Sequence, residues 1–96
     1  MSPQTVTDPI LTVTVVTPEG ELWSGTAVAV TVPGSSGSMG ILPRRQPLAT
    51  ELAAGQVQIR TLAGGPVSCT VTGGIVVVDQ DDVTVIADKV EPAGPR

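Results

Sequence analysis

Valine and threonine constrain this chain more than any other feature: 16 valines and 12 threonines in 96 residues, against one aromatic, Trp23. β-branched side chains lose rotamer freedom in a helix and pack well on a pleated surface, so such a chain points to strands before any periodicity is considered. Their order says the same. Leu11, Val13 and Val15 alternate with Thr12 and Thr14, the period of a strand with one buried face.

The alternation recurs along the chain, cut by turn residues. Thr17, Pro18, Glu19 and Gly20 place proline second and glycine fourth in a turn, so residues 21–23 run back antiparallel to the first strand. Ser24 and Gly25 read as a corner. Residues 26–32 alternate Val28, Val30 and Val32 against Ala27, Ala29 and Thr31, up to Pro33 and Gly34. Residues 34–38, rich in glycine and serine, read as a loop, and residues 39–42 as a short apolar stretch closed by Pro43. Residues 48–52 fit a strand or one helical turn equally. Val57 and Ile59 face one way and Gln56, Gln58 and Arg60 the other; a turn at residues 63–66 leads to Val67, Cys69 and Val71. After Gly73 and Gly74, residues 75–78 are apolar on both faces, the pattern of a strand buried on both sides. Asp79, Gln80, Asp81 and Asp82 form a hairpin loop before the last strand, 83–87. Eight or nine short strands with no helical pattern predict an all-β fold, a single antiparallel β-sandwich or flattened barrel. Residues 10–88 form that domain, residues 1–9 are expected to be loosely attached, and residues 89–96, with two prolines and a glycine, to be a flexible tail.

Composition narrows the function. A net charge of −4 and a pI near 4.4 argue against nucleic acid, because neutralising phosphates takes clustered Lys and Arg and only Arg44 and Arg45 adjoin. A membrane-spanning helix needs about 20 apolar residues, and no apolar run exceeds the four at 75–78. Residues 1–9 have no basic start followed by an apolar stretch, so no secretory signal is read and the cytoplasm is the expected compartment. The one cysteine, Cys69, cannot pair within the chain and sits on the inward face, the place of a small buried hydrophobe.

With no histidine, no tyrosine and one cysteine, the usual general bases, metal ligands and activated nucleophiles are mostly missing, so the chain reads as no enzyme, with no catalytic residues and no cofactor. Asp79, Asp81 and Asp82 could in principle share protons or collect a weak Ca²⁺, but a calcium loop needs a glycine and further ligands that are absent; a solvated hairpin tip is the simpler reading. Residues 34–40 are glycine-rich yet lack the Lys and Ser or Thr of a phosphate-binding loop. Lys89, the sole lysine, lies at the frayed end of the last strand rather than at the ordered hairpin tip of a lysine-modified carrier domain.

Four segments, in order, resemble the epsilon subunit of F-type ATP synthases. Leu22-Trp23-Ser24-Gly25 is similar to the family's hydrophobic-aromatic-Ser-Gly corner. Residues 32–43, ending Gly40-Ile41-Leu42-Pro43 and followed by Pro47-Leu48, resemble its long loop. Gly73-Gly74-Ile75-Val76-Val77-Val78 resembles its Gly-Gly strand, and Val83-Thr84-Val85-Ile86-Ala87-Asp88 its closing strand. The resemblance implies a sandwich of about ten strands that grips the gamma subunit, rests on the ring of c subunits and turns with them, a non-catalytic rotor part at the cytoplasmic face of the bacterial plasma membrane. Carried over by position, Ser36, Gly37, Ser38 and Met39 face the c ring, and Arg44, Arg45 and Gln46 face gamma. Ser38 stands where many members have Glu, removing a charge from that contact, and Arg44-Arg45 where Gly-His or Arg-His is common. The family continues after the closing strand into a two-helix hairpin that restrains ATP hydrolysis; this sequence stops at Pro95-Arg96, so it is expected to couple without inhibiting through helices. The alternative is a free-standing β-sandwich module that binds a ligand or peptide. An exposed apolar patch would separate the two, and residues 48–54, rich in Leu and Ala, are the expected place for it.

Overall fold

Nine strands make up most of residues 10–44, 46–61 and 64–92, which the computed structural model describes. They are β1 (Leu11–Thr17), β2 (Gly20–Gly34), β3 (Gly37–Ile41), β4 (Leu48–Leu52), β5 (Gly55–Thr61), β6 (Val67–Val71), β7 (Gly74–Asp79), β8 (Asp82–Ala87) and β9 (Val90–Pro92). The segment expected to be loose, residues 1–9, lies outside the described residues. Within the expected tail, Val90–Pro92 forms β9, antiparallel to β6.

β2 organises the rest. Its first half pairs with β1, from Gly20 opposite Thr17 to Ala27 opposite Leu11, and its second half pairs with β3 and β5. β1 continues the first half outward through parallel β8, then β7 and β4, while β5 leads on to β6 and β9. A single pairing of Gly34 with Leu52 brings β4 back to β2 and closes the sheet on itself. Both halves turn their buried residues into one core of Leu11, Ile41, Ile59 and small aliphatics, chiefly valine. Valine and alanine can fill so flat an interior because the space between facing pleats is about 10 Å.

Several expectations change here. Ser24 and Gly25 make no corner: both lie inside β2, opposite Thr14 and Val13, so one strand replaces the two expected. Gly25 is there because the Trp23 indole lies over it, with ring carbons 2.9 Å from where a Cβ would stand. The inward face of β2 also switches. Trp23, Gly25 and Ala27 are the less exposed side of its first half, whereas Val30 and Val32 are buried beyond it. The cause is a bulge, since the register against β5 shifts between Ala27 and Ala29. Residues 34–38 are mostly strand: Gly34 pairs with Gly37, leaving a turn of only Ser35 and Ser36. Residues 48–52 are a strand. On β7 only Val76 and Val78 are buried; Ile75 is 40% exposed, because no layer among the described residues covers the outer face of β7 and β8. The Asp79–Asp82 hairpin forms as expected, with Gln80 and Asp81 both at positive φ (52° and 66°), the backbone of a tight two-residue turn.

Cys69 is buried, as its inward position predicts, and burial pushes its thiol above the ordinary 9.0 by penalising the thiolate. The sign follows directly. Above pH 9 the unfolded thiol ionises while the folded one keeps its proton, so folding stability falls as pH rises through that window. Cys69→Ser is expected to remove this component of the alkaline loss, and native Cys69 is expected to react with a thiol reagent far more slowly than in denaturant; equal rates would contradict its burial.

Candidate partner-binding surface

The β2–β3 hairpin carries the first set of candidate residues. Its turn end is tied to β4 and the residue after it: Ser35 N–H donates to Glu51 O at 3.0 Å, and Ala53 N–H to Pro33 O at 2.7 Å. Gly55 lets Pro33 approach closely, since a Cβ there would stand 2.9 Å from the proline Cβ. Ser36, Gly37 and Ser38 are exposed, whereas Met39 is half-buried and packs against the core.

The second set stands at the other end of β3, in the link to β4. Gly40 and Ile41 of β3, then Leu42 and Pro43, separate Met39 from Arg44 along the chain. Arg44 is exposed and holds a left-handed backbone (φ 66°), and its N–H donates to the Asp81 Oδ1 at 2.7 Å. Gln46 is exposed, and Arg45 lies outside the described residues. The structure therefore does not join the two sets into one patch. They lie towards opposite ends of β3.

Between them lies a surface that sequence reasoning misplaced. The strand register sets Glu51, Ile75, Ile86 and Val16 side by side across β4, β7, β8 and β1, and Ala49, Val77, Thr84 and Thr14 in the next row. Ile75 and Ile86 are 40% and 41% exposed and adjacent. The apolar patch is thus centred on β7 and β8, not on residues 48–54, where Leu52 is buried and Leu48 half-buried. The signal was present in the sequence as the all-apolar run 75–78, but it was read as burial on both faces. Asp81 was read as part of a solvated tip; its bond to a residue 37 positions away has no sequence signature. Lys89 stands exposed in the link between β8 and β9, its carbonyl accepting the Thr72 N–H at 3.2 Å. Among the described residues no three Cys, Asp or Glu side chains converge to hold a metal ion, and no helix is long and apolar enough to cross a membrane.

Comparison with known proteins agrees with this architecture. The domain family described as the ATP synthase, Delta/Epsilon chain, beta-sandwich domain matches residues 10–93. An ATP synthase epsilon chain of Brevibacillus brevis is 40% identical over 84 residues, covering 88% of this chain and 64% of the relative. The epsilon chain of Micrococcus luteus is 40% identical over 77 residues, covering 80% of this chain and 85% of the relative. The match thus spans less than two thirds of the Brevibacillus protein and most of the Micrococcus one. Among solved structures, a chain of the Euglena gracilis mitochondrial ATP synthase, seen with its c ring, superposes with a TM-score of 0.81 over 94% of this chain and 57% of its own, at 18% identity. A chain of the central stalk and c ring of the Tetrahymena thermophila enzyme gives 0.69 over 85% of this chain and 66% of its own, at 21% identity. These two likenesses are of fold, whereas the sequence matches are of family. By both the matched domain and the epsilon chains that share its sequence, this chain belongs to the ATP synthase delta/epsilon family, through its β-sandwich domain.

Proposed function

We propose that the chain is a rotor part of an F-type ATP synthase, joining the gamma subunit of the central stalk to the c ring at the cytoplasmic face of the bacterial plasma membrane. It transmits torque and performs no reaction step. The observation that carries this reading is the outer face of β7 and β8, where Ile75 and Ile86 lie in register and exposed on a sheet with no covering layer among the described residues. A free-standing module gains nothing from such a face, while a subunit that docks through it buries apolar area at about 25 cal/mol per Å². Gamma is assigned to this face and the adjoining Arg44, Arg45 and Gln46 edge. The c ring is assigned to the tip of the β2–β3 hairpin, Ser36, Gly37 and Ser38, with Met39 fixing the tip to the core. Ser38 brings a hydroxyl to that contact and no charge, so its strength is expected to vary little with salt. A close-packed sandwich suits the role, because dense interiors are poorly compressible and pass strain between edges.

Cross-linking in the assembled complex tests the assignment. Cys69 is buried, so a cysteine introduced at Ser38 or at Gln46 is the reactive thiol. Ser38→Cys is expected to cross-link to a c subunit and Gln46→Cys to gamma. The opposite pattern, or no product from either, would overturn the assignment.

A further inference from the structure

We infer that the Asp81 side chain is a positioning residue for the gamma contact, holding the link at Arg44 in its binding shape through one hydrogen bond. The inference rests on the function proposed above and deepens it.

Between β3 and β4, the described residues Leu42, Pro43, Arg44, Gln46 and Pro47 lie outside any strand. Arg44 keeps a positive φ of 66°, a conformation that L side chains rarely adopt. The Arg44 N–H donates to the Asp81 Oδ1 at 2.7 Å, a short bond to a carboxylate of the β7–β8 turn. Asp81 is itself well placed to act as an anchor. It is half-buried, its φ of 66° belongs to the tight turn, and its carbonyl accepts the Thr12 N–H at 2.9 Å at the start of β1. One residue thus joins three segments far apart in sequence: β1, the β3–β4 link and the β7–β8 turn. Pro43 and Pro47 stiffen the flanks of the link, since each fixes its own φ, but neither has an N–H with which to hold the link to the sheet. A loop already in its bound shape avoids the entropy of being ordered on association, so loss of the anchor weakens binding even when every contact residue remains.

Two variants separate the bond from the turn. Asp81→Gly keeps the positive φ and the backbone bond to Thr12 but removes the acceptor; Asp81→Asn keeps the positive φ and an acceptor oxygen but removes the charge. Binding of the full chain to purified gamma subunit and, separately, to purified c ring is measured for both, together with hydrogen exchange at the Arg44 amide. Asp81→Gly is expected to bind gamma about tenfold more weakly and to exchange at Arg44 about tenfold faster, with Asp81→Asn within about threefold of the wild type in both. Binding to the c ring, at the far end of β3, is expected to be the same in all three. Wild-type affinity for gamma in Asp81→Gly overturns the inference and leaves the proposed function standing, as does a parallel loss of c-ring binding, which would mean general destabilisation. A wild-type chain that does not bind gamma overturns both.

Discussion

Gly74→Ala is expected to lose about 3 kcal/mol or more of folding stability, a large part of the roughly 5 to 10 kcal/mol available to a domain of this size. Gly74 opens β7 with φ +134°, a backbone region that side chains rarely adopt. A Cβ there would collide with the carbonyl oxygen of Ile86 and stand 2.8 Å from the Cα of Ala87. Both obstacles are backbone of β8, directly across the pairing of Gly74 with Ala87. Neither can swing aside as a side chain does, so the strands must separate or the turn before them must deform. Because β7 and β8 carry four core valines, Val76, Val78, Val83 and Val85, the damage reaches the core. Chemical denaturation followed by the Trp23 fluorescence measures it, and a loss under 1 kcal/mol would contradict the close approach of the two strands.

Ile41→Ala is expected to cost about 3 kcal/mol, the usual loss plus cavity term for truncating a fully buried aliphatic. Ile41 is 0% exposed at the end of β3 and pairs with Val30 of β2, so it pins the strand that connects the two candidate contact sites. Its neighbour is the control. Leu42 is 60% exposed, and Leu42→Ala is expected to fall within about 0.5 kcal/mol of the wild type. Equal losses for the two would mean that β3 does not face the core as described.

What the sequence disclosed and what it withheld divide along physical lines. The inward sides of β1, β5 and β6 were legible because one buried face imposes a period of two that local residues display, as at Leu11, Val13 and Val15. The β2 switch was not, because a bulge depends on how Ala27 and Ala29 meet β5, a partner some 30 residues away. The hairpin of Ser35 and Ser36 was taken for a longer loop, since glycine marks a turn without saying how many residues it spans. Ile75 was given to the core for a related reason. An apolar run looks the same whether its second face meets another layer of the domain or is left open. Motif resemblance located the candidate contact segments along the chain, and the extent of β3 then set them towards its two ends. The Asp81 bond to Arg44 joins residues 37 apart, and nothing local to either announces it.

The most direct test of the central claim is calorimetric titration of this chain into purified gamma subunit, beside a double variant, Ile75→Asp with Ile86→Asp. Both side chains are exposed, so the variant is expected to fold while placing two charges in the apolar face. The account predicts that the wild type binds with a negative heat-capacity change, the mark of apolar burial, and that the variant loses about a hundredfold or more in affinity. A folded wild-type chain that does not bind gamma, or a variant that binds as tightly, would contradict it.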